Sequence, residues 1–283
     1  GGPTYSNDSP EISYQSNDMG SGAQILNSYT IKNPITMYKY IQENRGEEIV
    51  GSTTGVVFEW VLHNIAYEVG NFALGIGVEK IGKYAFYQCW SLNALTLPAE
   101  LKEIEDGAFY SCWRLKNIQL PEKLSIIGKQ AFYNTKIKTL IIPKNVTKIG
   151  EQAFAHCNLL NSVDILANIE ILENETFLWC NNLTNVNISS ELTVISNSVF
   201  MNCSSLENIQ IPSSVTFIGD NAFSGCNRLR VVTIPEGIQE LGRGIFNGCT
   251  RLYAVNLPKS LTKIKSDAFA NCTNLTSIKI PSN

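Results

Sequence analysis

Eight cysteines fall at positions 89, 112, 157, 180, 203, 226, 249 and 272, and two histidines at 63 and 156. These are the side chains best suited to metal ligation, disulfide formation or nucleophilic attack, and their spacing argues against all three. Neighbouring cysteines stand 23 residues apart, except Cys112 and Cys157, which are 45 apart. A zinc site needs ligands clustered at short spacings, and the chain has neither a Cys-x-x-Cys pair nor a histidine cluster. Cysteines repeated at one place in a regular stack would lie within bridging distance, but parallel side chains suit a disulfide poorly. They read as free, buried thiols, each a small hydrophobe. His156 adjoins Cys157, yet adjacent residues seldom converge on a substrate, and Cys157 takes a core position. The column of His156 also holds Gln88, Ser111, Asn202, Gly225 and Gly248, a tolerant set that places the histidine at the surface. Gly75-Ile76-Gly77 and Gly82 have the wrong spacing for a dinucleotide loop, and no long helix follows. Catalytic, cofactor-binding and metal-ligating residues are therefore all expected to be none, and the protein is expected not to be an enzyme and to need no cofactor.

The same period fixes the scaffold. A repeat of this size marks a solenoid, in which each repeat is one coil stacked on the last. The long interval is one repeat that has lost a residue and its cysteine, with Asn134-Thr135 in the vacant slot. The unit reads Ile-Gly-x-x-Ala-Phe-x-x-Cys-x-x-Leu-x-x-Ile-x-Ile-Pro, with copies starting at Ile81, Ile104, Ile127, Ile149, Leu172, Ile195, Ile218, Leu241 and Ile264. Leu-x-x-Ile-x-Ile-Pro alternates with period two and ends on a residue that cannot donate to a ladder, so it predicts a strand. Leu166 and Ser189 replace the proline in the fourth and fifth copies, where a less sharply ended strand is expected. Ala-Phe-x-x-Cys suits a helical or 3₁₀ turn, and a short second strand fits between the proline and the next Ile-Gly. Nine phenylalanines, from Phe86 to Phe269, share one column. Stacking is expected to fuse their surroundings into one core.

Residues 1–22, rich in Ser, Asn, Asp and Gly, read as a disordered or extended leader. Residues 23–80 read as an N-terminal cap with a short helix over 35–49 and a degenerate first coil, in which Val69, Phe72, Leu74 and Val78 take the apolar slots. Residues 81–283 hold about nine repeats. The last strand, Leu275 to Ile280, is expected to leave an open edge.

The Leu-x-x-Ile-x-Ile-Pro and Ile-Gly-x-x-Ala-Phe-x-x-Cys signatures, recurring over residues 81–281, resemble the leucine-rich repeat of the BspA-like family of bacterial surface proteins. The resemblance implies a leucine-rich-repeat solenoid: a curved right-handed superhelix with one long parallel sheet on its concave side and short helical or 3₁₀ turns elsewhere. It also implies a secreted or surface-attached protein that adheres to host matrix, to other bacteria or to host cells. A signal peptide or lipid anchor is expected upstream of the Gly-Gly-Pro start.

Composition narrows the partner. A net charge of −3 and a pI near 5.6 give no nucleic-acid footprint, and no apolar run approaches membrane-spanning length. A monomer binding a protein or a glycan is expected. The best candidates are the outward strand positions Asn117, Gln119, Thr139, Asp164, Asn185, Asn187, Asn208, Gln210, Thr233 and Asn256, which serve either as a recognition platform or as a plain solvated face. A second candidate is the aromatic patch Tyr87, Trp90, Tyr110, Trp113 and Tyr133, confined to the first three copies. Such rings stack on sugars or anchor a partner; alternatively the segment over 23–60 folds back over them, which is the preferred expectation because that segment needs something to pack against. Four functions compete: protein recognition, glycan capture, a structural spacer, and catalysis, for which no convergent polar cluster is evident.

Overall fold

Alternation of apolar and polar residues within each copy makes two short strands per coil, and the stacking of coils pairs each strand with its equivalent one period away. The computed structural model describes residues 78–281, together with the strands Glu11–Ser13, Ser28–Thr30, Val56–Val57 and Asn71–Ala73. Glu11–Ser13 pairs antiparallel with Ser28–Thr30. The rest of the leader, the cap and its helix lie outside the described residues.

The wider strand series includes Asn71–Ala73, Ala94–Thr96, Asn117–Ile118, Thr139–Ile142, Ser162–Ile165, Asn185–Asn187, Val231–Thr233 and Ala254–Asn256. All its pairs are parallel and keep the columns in register: Phe72 opposes Leu95, and Leu140 opposes Val163, which opposes Val186. The second series, from Val56–Val57 and Lys80–Ile81 to Lys263–Ile264, lies just before each Ile-Gly corner and keeps the same register, Ile81 with Ile104 with Ile127. The expected single sheet is in fact segmented. Its ladder lapses between Asn117–Ile118 and Thr139–Ile142, where the third coil is one residue short, and thins to an Asn208–Val231 bridge further on. Leu166, free of the proline constraint, donates its N–H to Ile142 O at 3.0 Å and lengthens the ladder there. Residues 275–280 form no strand.

The third wall corrects the expected helical or 3₁₀ turn. No helix occurs among the described residues. From the Ile-Gly corner onward, alternate N–H groups close tight turns: Ala85 to Gly82 O, Tyr87 to Tyr84 O and Cys89 to Phe86 O, at 3.2, 2.9 and 3.1 Å. The intervening N–H groups cross to the next coil: Tyr84 to Asp106 O, Phe86 to Ala108 O and Gln88 to Tyr110 O, at 3.0, 2.7 and 2.7 Å. A helix would satisfy its donors internally; here half of them hold the stack together. Two positions per coil adopt left-handed backbone, among them Tyr84 (φ 56°), His156 (φ 61°) and Trp179 (φ 59°), with Gly244 and Gly248 in the same columns. A non-glycine residue there is disfavoured by about 1–2 kcal/mol, a strain held by hydrogen bonds on both sides. The corner adds a ladder of its own: Asn174, Asn197 and Asp220 each accept, through side-chain Oδ1, the backbone N–H of the next coil at 3.0, 2.8 and 2.8 Å.

Inside, the phenylalanine column is continuous. Ring centroids are 4.9 Å apart at Phe86–Phe109 and 5.7 Å at Phe246–Phe269, with interplanar angles of 12° and 14°. Phe86 to Phe246 are fully buried, and Phe269 partly so. All eight cysteines are buried and none forms a disulfide. Their thiols do more than fill space: Cys112 Sγ donates to Phe86 O at 3.0 Å, and Cys203 Sγ to Phe177 O at 3.2 Å. In the short coil Thr135, fully buried, takes the cysteine slot and meets Cys157 Sγ at 3.2 Å.

The corner glycines permit close approach. A Cβ on Gly150 would lie 2.4 Å from the backbone nitrogen of Lys129. Gly150→Ala is therefore expected to destabilise the protein by about 1–3 kcal/mol, measured as a shift in urea midpoint. Glu105, Glu173, Ser196 and Lys265 occupy the same column elsewhere, so the cost comes from the tight spacing at this corner. A wild-type midpoint would refute the close-contact account.

Candidate interaction surfaces

The wide sheet points one residue of each pair inward and the next outward. Asn117, Gln119, Thr139, Asn185, Asn187, Asn208, Gln210, Thr233 and Asn256 are all exposed, and Asp164 is half-buried. Hydrogen bonds run along these columns from coil to coil. Asn187 Nδ2 donates to Asp164 Oδ1, and Asn256 Nδ2 to Thr233 Oγ1 at 3.0 Å. The row is thus partly self-satisfied, with its remaining amides open to solvent. In its midst Ile141 is 59% exposed. Its apolar side chain in an otherwise polar column was readable as an anomaly, and only the structure shows how far it stands out.

The aromatic residues form two ladders. Trp90 and Trp113 stack at 5.4 Å and 11°, and are 43% and 47% exposed. The segment over 23–60 expected to cover this pair lies outside the described residues, apart from Ser28–Thr30 and Val56–Val57. Tyr87, Tyr110 and Tyr133 stack separately at 5.2 and 4.6 Å and are half-buried. The tyrosine ladder then steps sideways by one residue. Tyr133 meets His156 at 5.0 Å, and His156 meets Trp179 at 6.3 Å. His156 is therefore not the plain surface residue that its column suggested. It is half-buried between aromatic rings, and that burial lowers its pKa, while Glu175 pulls the other way. Burial likewise raises Tyr110, with Tyr87 and Tyr84 adding to the shift. Trp179 was missed because it sits one column away from the tyrosines. The stacked rings turn their faces to each other and their edges outward, so they serve better as a rigid rib than as an open platform.

No group of three or more metal-ligating side chains occurs among the described residues, and no helix among them is long and apolar enough to cross a membrane. The burial that holds the thiols out of reach also raises their pKa values, which is the opposite of an activated nucleophile.

The signature of the BspA type leucine-rich repeat region matches residues 79–207 and 170–283, in six copies. The chain belongs to the BspA-type leucine-rich repeat family. Among solved structures, a leucine-rich repeat protein from Bacteroides ovatus is 25% identical over 79% of this chain and 81% of its own, with a TM-score of 0.40. A leucine-rich cell surface protein from Faecalibacterium prausnitzii is 24% identical over 79% of this chain and 82% of its own, with a TM-score of 0.44. The pneumococcal vaccine antigen PcpA is 19% identical over 70% of this chain and 68% of its own, with a TM-score of 0.38. No curated protein matches the chain.

Proposed function

We propose that this BspA-type chain is a non-enzymatic recognition protein, secreted or held at a bacterial cell surface, that binds a protein partner as a monomer through the outward face of its wide sheet. Exposed Ile141, set among the amides and hydroxyls of Gln119, Thr139 and Asn187, is the observation that carries this reading. Interfaces place a desolvated apolar anchor within a polar rim, and a sheet that holds its outward side chains in register supplies both with little ordering left to do. The surface location rests on family membership.

The test is capture from an extracellular-matrix extract on immobilised protein, followed by affinity measurement with the purified partner. Ile141→Asp is expected to weaken that affinity at least about tenfold, the effect of losing an anchor residue, with an unchanged unfolding midpoint because the position is exposed. Wild-type affinity in both Ile141→Asp and Asn187→Arg would remove the sheet face as the binding site.

A further inference from the structure

The residue missing from the third coil belongs to the turn between the cysteine column and the strand, where Cys112-Trp113-Arg114-Leu115 becomes Thr135-Lys136-Ile137. Arg114 and Leu159 are successive occupants of the shortened column. Beside that gap the surface sinks into a trough of about 570 Å³ lined by Lys138, Thr139, Asn161, Asn182, Thr184 and Leu159. Its wall is largely apolar, around Leu159, and carries amides, hydroxyls and one ammonium with no carboxylate.

Charge is distributed unevenly around the first three coils. At the Ile-Gly corner the lysines are neutralised: Lys80 by Glu105, Lys102 by Glu79, Lys123 by Glu100 and Lys129 by Glu151, at 2.7, 2.8, 2.6 and 2.7 Å. Beside the shortened turn Arg114, Lys116 and the trough residue Lys138 are exposed and have no ion pair among the described residues, and Lys136 reaches Asn158 Oδ1 at 2.7 Å. The two coils are joined at this point by Lys136 N to Leu115 O and Lys138 N to Lys116 O, at 3.0 and 3.1 Å, so the four cations form one strip. The exposed Trp90–Trp113 pair adjoins it directly in sequence through Arg114. Four uncompensated positive charges have thus gathered on a chain of net charge −3.

We infer that this strip and trough bind an anionic polysaccharide, one bearing sulfate or carboxylate groups. The cations meet the charged substituents, the amides and hydroxyls of the trough meet sugar hydroxyls, its apolar wall around Leu159 meets the C–H faces of the sugars, and the indole edges flank the chain. The carboxylates of an acidic peptide would satisfy the cations but bring no ring C–H face to the apolar wall around Leu159. The site is centred on the turn beside the strands and meets the sheet face only at its edge, through Thr139, and so goes beyond the sheet-face reading.

The probes are immobilised heparin for sulfate, alginate for carboxylate and dextran as the neutral control. The full chain is expected to be retained by at least one of the two acidic polymers, to release as salt rises, and to pass through dextran. Lys116→Ala with Lys138→Ala should weaken retention about three- to tenfold, and Trp113→Ala should weaken it without changing its salt dependence. Lys102→Ala with Lys123→Ala, on the compensated corner, should leave it unchanged. All these positions are exposed, and matched unfolding midpoints confirm that each variant folds. The inference is overturned if neither acidic polymer retains the protein, if the corner variant loses as much as the strip variant, or if poly-glutamate displaces the protein as well as the polysaccharide does. None of these outcomes touches the sheet-face proposal, because no substituted residue lies in its columns.

Discussion

Phe200→Ala is expected to lower the unfolding free energy by about 3–5 kcal/mol and to split the unfolding transition. Phe200 is fully buried and stacks on Phe177 at 5.7 Å and on Phe223 at 5.5 Å. The ring surface lost accounts for the first part of the effect, and a void walled by two remaining rings for the second. In a solenoid each coil touches only its neighbours, so stability is a sum of coil and interface terms, and a hole at one interface weakens the coupling between the halves on either side. All four tryptophans lie at positions up to 179. Their fluorescence therefore follows the N-terminal half, whereas circular dichroism follows the whole chain. The two urea transitions should coincide in the wild type and separate in the variant. A cost below about 1 kcal/mol with coincident transitions would mean that the phenylalanine column is not what joins the coils.

Alkaline pH is expected to destabilise the protein steeply. Burial pushes the thiols of Cys89 and Cys226 up to about 12 and that of Cys157 to about 11, and it raises Cys112, Cys180, Cys203 and Cys249 as well. In the unfolded chain a thiol ionises near about 8.5. Above that pH the unfolded state sheds thiol protons that the folded state keeps, so stability falls as pH rises. The contribution is whole below about pH 8 and is lost progressively until the folded values near 11 to 12 are reached. Each thiol adds a slope of up to about 1.4 kcal/mol per pH unit. Urea midpoints between pH 7.5 and 10.5 measure the slope, and Cys203→Ala with Cys226→Ala should flatten it by two thiols' worth. Lysine ion pairs titrate later, since Lys80 is held above its usual value by Glu105. An unflattened slope in the double variant would assign base sensitivity to those lysines instead.

Much of this architecture is written in the chain because one pattern is repeated with few errors. The strand register, the phenylalanine column and the burial of the unbridged cysteines follow from spacing alone. The turn wall does not. A five-residue signature such as Ala-Phe-x-x-Cys says that the chain bends, but whether its amides bond within the turn or across to the next coil depends on the presence of that coil. The shared left-handed sites were equally hidden, because Gln, Asn, Trp and Gly all occupy them and no single residue type flags the conformation. The shortened third coil was visible as a counting anomaly at Cys157; that it breaks the ladder and leaves a trough beside Lys138 required coordinates. At the surface the candidate strand positions were legible because period two fixes which residues point out. The prominence of Ile141 and the sidestep from Tyr133 to His156 were not, since both depend on what adjacent coils leave uncovered.

The crossing amides of the turn wall all run one way: Phe86 donates to Ala108, Phe109 to Ala131, and Phe223 to Ile245. Within that wall one face of each coil therefore offers hydrogens and the opposite face oxygens, whereas the strands also donate backward, Lys116 to Asn93 and Gly128 to Ile104. The polarity belongs to the turn wall: two coils meeting there through like ends would set donor against donor or acceptor against acceptor, while a coil added head to tail would continue the row, a heterologous contact.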